Sequence, residues 1–244
     1  MNDERTADPS PPDAGSPLSG AVVAVIGGSG ALGSLVARRL SDLGAQLILA
    51  GPHSDRLHAV QLDGATVVQL DMRDPQAGDV LCAAALEHHG RLDGVVNAAG
   101  VVAFGALVDT DDVVIEELFL TNVIGPLWLA KRVAPLLAES KGFLVQLSAV
   151  VAEQPQANMA AYSASKAALT AADAAMTREF RRLGIRVCDV RPPHTETGLA
   201  DRPLAGAAPK LPTGLAPEFV ADRIIAAILD GGTELSAESF AAGS

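Results

Sequence analysis

Residues 21–44 read AVVAVIGGSGALGSLVARRLSDLG, and the fold turns on what joins the two halves of this stretch. The first half, AVVAVIG (21–27), is short, β-branched and uninterrupted, the composition of a strand buried on both faces. The second, ALGSLVARRLSDLG (31–44), sets Leu32, Leu35, Val36, Leu40 and Leu43 at helical spacing and stops at Gly44, a residue suited to the left-handed turn after a helix. Between them Gly27, Gly30 and Gly33 make a GxxGxxG turn. A dinucleotide needs such a turn for physical reasons. One glycine permits the tight turn, another lets the backbone approach the pyrophosphate, and a third lets helix and strand pack closely. The helix N-terminus then offers free N–H groups and partial positive charge to the phosphates. Three glycines alone describe any tight turn; the buried strand before them and the amphipathic helix after them point to a nucleotide.

The same alternation continues along the chain. AQLILA (45–50), ATVVQL (65–70), DGVVNAA (93–99), FLVQLSA (143–149) and IRVCDV (185–190) read as further strands. Helical patterns separate them at about 54–62, 75–89, 111–138 and 160–183, with another at 216–230. The strands lack the in/out alternation of a sheet with one wet face. This pattern predicts an α/β fold, a doubly wound and mostly parallel Rossmann-type sheet with helices on both faces. No internal repeat or linker divides residues 20–244, which are expected to form a single dinucleotide-binding catalytic domain. Residues 1–19, rich in Pro, Ser and Asp and without an apolar run, read as a disordered tail rather than a signal or transit peptide. The Pro- and Gly-rich segment 192–217 reads as an irregular excursion over the site.

Bulk composition narrows the function further. The 244 residues are 49% hydrophobic, enough for one sizeable core. A net charge of −11, from 18 basic and 29 acidic residues with no Lys/Arg-rich run, argues against nucleic acid and against an anionic membrane as partners. No stretch approaches eighteen uninterrupted apolar residues, so a soluble, cytoplasmic protein is expected. Cys82 and Cys188 lie far apart with no CxxC or Cys/His cluster, which reads as two reduced thiols and no metal site.

The end of the second strand bears on the choice of dinucleotide. A carboxylate there would bind the ribose 2′-OH of NAD, whereas an arginine nearby favours the 2′-phosphate of NADP. This chain has Gly51, Pro52 and His53 instead. With no acid to repel a phosphate, the reading leans to NADP over NAD, with His53 or Arg56 as possible contacts; a solvated loop explains either residue as well. Asp71, ending the third strand in QLDMRD, could reach an adenine edge, and an ordinary turn aspartate explains it comparably.

With the glycine turn, then NAAG (97–100), TN (121–122) and YSASK (162–166) in order, the chain resembles the short-chain dehydrogenase/reductase family over residues 20–200. The chain has one tyrosine and four lysines, so a lysine four residues after that tyrosine is a specific feature. The resemblance implies that Asn122, Tyr162 and Lys166 are catalytic. It also implies cofactor contacts from Gly27, Ser29, Gly30, Leu32, Gly33, His53, Asp71, Met72, Asn97, Ala98, Gly100, Lys166, Pro192 and Thr195. RPPHTETG (191–198) is similar to the family's segment near the nicotinamide, with Pro193 in place of a glycine and Thr195 or Thr197 beside the carboxamide. Family members commonly pair through the fourth and fifth long helices, which implies a homodimer or homotetramer.

The chemistry follows from the side chains. A phenol with a pKa near 10 is a poor base at neutral pH. A lysine ammonium one helical turn away favours the phenolate and brings its proton affinity nearer the working range. The expected reaction is hydride transfer between a nicotinamide and a small alcohol or ketone, with Tyr162 as general acid/base. Ile26, Ala31 and Pro193 depart from the family's pattern, and the serine that binds the substrate oxygen falls at Ala149. Ser148 is the neighbouring candidate. Regular strand geometry turns it to the opposite face, and a bulge or an early strand end would re-aim it. A nucleotide-binding sensor or scaffold that has lost turnover is the alternative reading.

Overall fold

The computed structural model describes residues 15–210 and 212–241. The six β-branched runs of the sequence become β1 (Val22–Ile26), β2 (Gln46–Gly51), β3 (Thr66–Gln69), β4 (Gly94–Asn97), β5 (Phe143–Leu147) and β6 (Arg186–Val190). A two-residue strand, β7 (Glu234–Leu235), completes the sheet and is too short to leave a periodic signal. All neighbours are parallel, in the order β3-β2-β1-β4-β5-β6-β7. The order reverses between β1 and β4. Their carboxyl ends therefore splay apart and leave the crevice in which open α/β sheets hold ligands.

Helices cover both faces. On one side α1 (Ala31–Asp42) and α7 (Pro217–Asp230) pack over Val23, Val25, Leu49, Val145 and Val190. On the other, α3 (Ala77–His89) and α5 (Gly125–Ser140) enclose Ala24, Ile48, Val95, Leu144 and Val187. The short α2 (Ser54–His58) stops before the expected residue 62, because the chain turns left-handed at Gln61 and Gly64. The 160–183 pattern folds as α6 (Ala160–Phe180) followed by a 3₁₀ turn, Arg181–Leu183.

The expected helix over 111–138 is not regular. α4 (Asp112–Phe119) meets α5 through a π turn, Leu120–Ile124. Pro126 has no N–H to return to the carbonyl four residues back, and Gly125 presses against the Met72 carbonyl so closely that a Cβ there would collide. The extra residue is absorbed where Asn122 sits. The combined stretch Asp112–Ser140 is long and apolar enough to cross a membrane by length and composition. It buries Leu129, Ala130, Val133 and Leu137 against the sheet, which accounts for those residues as core.

The expected tail ends earlier than Gly20. Leu18 is buried beside Leu40 and Leu47, and Gly20 N donates to Gly44 O at 2.8 Å, so an apolar side chain anchors this end; residues 1–14 lie outside the described chain.

Candidate active site

The crevice at the end of β1 is shaped by its glycines. Gly27 has φ of +73°, and a Cβ there would stand 2.9 Å from Ala99 N, against the strand-four segment. A Cβ on Gly33 would run into the Gly27 carbonyl, so helix and turn touch backbone to backbone. Gly30 is the N-cap, Ser29 and Leu32 flank it half-buried, and no side chain caps α1. The first N–H groups of the helix therefore face the crevice without an intrahelical partner. A cradle that a Cβ would fill and an uncapped, partly positive helix end fit a dinucleotide pyrophosphate.

Across the crevice, Gly100 brings the candidate catalytic groups together. A Cβ on Gly100 would lie 3.3 Å from Lys166 Nζ and 3.4 Å from Asn122 Oδ1. Asn122 is held from both ends: its Nδ2 donates to Val101 O at 2.9 Å and Ser165 Oγ at 3.1 Å, and its Oδ1 accepts from Val101 N at 3.0 Å. Lys166 Nζ donates to Leu147 O at 2.8 Å. Burial pushes the Tyr162 phenol up, and burial brings Lys166 down to about 8 against the opposing pull of Asp189 and Asp173. In the protein alone the tyrosine is thus held as an acid, and the lysine titrates close to neutral pH.

A second layer closes over the tyrosine. Val102, Phe104, Leu118 and Val151 surround it, and Leu199, Ala200, Ala205 and Ala208 pack on the same cluster. Two main-chain bonds, Leu204 N to Val102 O (2.8 Å) and Phe104 N to Ala205 O (2.9 Å), tie segment 199–208 down. The 192–217 excursion therefore does lie over the site. At Gly206, φ is +72° and a Cβ would strike the Phe104 carbonyl.

The matches with known proteins follow the same residues. The family model for short chain dehydrogenases covers residues 21–205. The chain belongs to the short-chain dehydrogenase family. An uncharacterized oxidoreductase of Staphylococcus epidermidis is 29% identical, with 85% of this chain and 90% of that one covered. A short chain dehydrogenase of Monascus ruber is 32% identical over 76% of this chain and 66% of that one. A short-chain dehydrogenase from Streptomyces avermitilis superposes with a TM-score of 0.80 at 28% identity, covering 92% of each chain. One from Burkholderia cenocepacia, solved in complex with NADP, superposes at 0.81 with 21% identity over 93% of each chain and so shares the fold.

Other residues suggested by the dehydrogenase resemblance occupy varied settings. Asn97 is buried, its Nδ2 donating to Gln146 Oε1 at 2.7 Å and its Oδ1 accepting from Ala99 N at 3.2 Å; Ala98 lines the back of the glycine turn. His53 is the exposed N-cap of α2, and Arg56 is exposed beyond it. Asp71 is already engaged by a cation: Arg73 grips both its oxygens, at 2.7 Å from Nη2, and that bond holds the carboxyl below its usual range. Arg73 also reaches Glu117 at 3.2 Å. Met72 is core. Pro192 accepts from Val150 N, Thr195 Oγ1 donates to Pro193 O at 2.9 Å, and Thr197 Oγ accepts from Leu199 N at 3.4 Å.

Ser148, the neighbouring candidate for the missing family serine, turns towards α6. Its hydroxyl donates to Lys166 O at 3.0 Å and accepts from Thr170 Oγ1 at 2.9 Å, so it is bound to the inner side of α6. Ala149 packs with the Tyr162 cluster instead. β5 ends at Leu147, but Ser148 N still donates to Val190 O at 2.8 Å and Ala149 stays extended (φ −168°, ψ 162°), so the two side chains keep opposite directions. Gln146, Asp173 and Asp189 lie outside the motifs that carry the resemblance, yet all three are buried, and both carboxyls act on Lys166. The available signal was a polar residue inside an otherwise apolar strand, in FLVQLSA and IRVCDV, and an aspartate seven residues after Lys166 on one helical face.

Proposed function

We propose that this short-chain dehydrogenase is an NAD(P)-dependent reductase of small ketones or aldehydes, and of the corresponding alcohols in reverse. The observation that carries the reading is the Gly100 corner, where Lys166 Nζ and Asn122 Oδ1 converge one helical turn from Tyr162 and across from an uncapped glycine-turn helix. A nucleotide scaffold has no chemical need for that trio. When bound, the nicotinamide supplies or accepts the hydride. Gly27, Gly30 and Gly33 hold the pyrophosphate by backbone approach, and Asn97, Ala98 and Gly100 line the adenosine side. Lys166 fixes a ribose hydroxyl and, as an ammonium, favours the phenolate that forms when Tyr162 gives its proton to the substrate oxygen. Segment 199–208 excludes water during that transfer.

Support for NADP over NAD comes from the end of β2, where Gly51 offers no carboxylate while His53 and Arg56 stand exposed nearby. The NADP-bound relative from Burkholderia is consistent with this preference. Titration with NADPH and NADH by nicotinamide fluorescence, then a carbonyl panel on wild type and Tyr162→Phe, tests the reading. We expect binding, turnover on at least one ketone, and loss of that turnover in Tyr162→Phe with binding retained. Absence of binding at millimolar dinucleotide would overturn the whole reading. Binding without turnover on any carbonyl would favour the sensor alternative, for which Ala149 is the supporting residue.

A further inference from the structure

A row of polar residues crosses the buried sheet beneath α6. Asn97 on β4, Gln146 on β5, Asp189 on β6 and Glu234 on β7 are successive register partners, so their side chains share the face beneath α6. Asp173 descends on this row from α6, two turns after Lys166 and on the same stripe. It has 0% exposure, and neither of its oxygens finds a hydrogen-bond partner among the described residues. Gln146 Nε2 and Asp189 Oδ1 are orphaned likewise. The Gln146 amide faces Asp173 and favours its charged form, although no bond between them meets hydrogen-bond geometry.

Two carboxyls in one dry space cannot both ionise cheaply, and a buried ammonium lies along the same face. We infer that Asp173 and Asp189 share one negative charge and act together as positioning residues for Lys166, keeping its ammonium charged at the site. The charge relation is independent of the proposed reaction; only its consequence for turnover rests on that reading.

The charged surroundings support this division of labour. From β6, Asp189 faces Arg191, whose guanidinium lies 3.3 Å from it and 3.0 Å from Glu153, and which also pairs with Glu234 at the sheet edge. Cys188, the other titratable group of β6 near the pair, is pushed up by burial to about 11 and stays a neutral thiol. Burial raises Asp173 to about 8, and Asp189 is raised for the same reason with Arg191 opposing. The Arg191 guanidinium draws the shared charge towards Asp189.

The test reads the lysine directly. The chain has four lysines, so ¹⁵Nζ-lysine labelling gives four resonances, and Lys166→Arg identifies the one of interest. The protein is titrated from pH 6 to 10 as wild type, Asp173→Asn, Asp189→Asn and the double variant. A shared charge predicts small downward shifts of the Lys166 midpoint in each single variant, since the surviving carboxyl takes over the charge. In the double variant the shift should exceed their sum and reach about one pH unit or more. Additive shifts, or an unmoved midpoint in the double variant, overturn the inference. Asparagine keeps the shape of aspartate, so the singles should fold; if the double does not, an increase or no change in the Lys166 midpoint in the two singles is sufficient refutation. Shifts as predicted in a protein that turns over no carbonyl would sink the reductase reading and leave the charge relation standing.

Discussion

On the proposed reductase reading, replacing Ala149 with serine should raise turnover. Ala149 sits at φ −168° and ψ 162°, extended backbone that serine adopts without strain, and its side chain packs in the Tyr162 cluster. A hydroxyl added there enters a half-buried place with the phenol nearby, whereas the existing Ser148 hydroxyl is tied to Lys166 O and Thr170. A well-placed donor to a developing oxyanion is worth about 10²–10³ in turnover. A serine whose surroundings were shaped around alanine should recover part of that, about ten-fold or more in kcat/KM, read as NADPH absorbance decay on the best ketone of the panel. Ser148→Ala should leave turnover nearly unchanged. It strands the Thr170 donor, at a cost of about 1–3 kcal/mol in stability, equivalent to roughly 2–4 °C in Tm per kcal/mol for a chain of this size. A neutral Ala149→Ser together with a crippled Ser148→Ala would refute the geometry, because Ser148 would then be the substrate's donor.

Four further outcomes are expected. Gly27→Val, forced to φ near +73° with Ala99 N within 2.9 Å, should weaken dinucleotide binding about ten-fold or more by calorimetry with the far-UV spectrum preserved. Carbonyl reduction should fall as pH rises through about 8, since Lys166 loses its charge there while the Tyr162 phenol, pushed up by burial, still holds its proton; a profile flat to pH 10 would contradict this. Asp173, raised from 3.8 to about 8, binds a proton more tightly folded than unfolded, so the stability it lends is full below pH 3.8 and is lost as pH rises towards 8. Asp173→Asn should therefore melt at or above the wild-type temperature at pH 7, with the difference vanishing towards pH 4. Finally, Val113 of α4, Ile124 of the π turn and Leu127 of α5 lie exposed, as does Val108 at 93%, so light scattering should give a multiple of the 24.9 kDa chain mass at micromolar concentration.

Much of the molecule is legible in its letters because its elements are locally consistent. AVVAVIG must be a strand and ALGSLVARRLSDLG a helix on pattern alone, and the glycines between them have a Cβ-free job that the structure displays at Gly27 and Gly33. The Ser148/Ala149 question was also answerable, since adjacent strand residues face opposite ways and nothing in LSAVVA signals a bulge. What escaped depends on tertiary contact. The π turn arises where Gly125 meets the Met72 carbonyl, 53 residues earlier in the chain. Asp71 looked available until Arg73 folded back on it. Asp173 hides in an alanine-rich helix whose period says only which face is inward, and an aspartate on that face becomes informative once Asp189 and Lys166 are seen to share it.

The tie over the tyrosine has a consequence for how such an enzyme can diverge. Segment 199–208 is fastened by the main-chain atoms of residues 204 and 205 as well as by the packing of Leu199, Ala200, Ala205 and Ala208. Selection can therefore exchange one small apolar side chain for another along the cover without loosening the two main-chain bonds. Proline at position 204, which would delete a donor, and any side chain at Gly206 are the exceptions. The cover over the tyrosine is thus free to drift in sequence while two main-chain bonds keep its place.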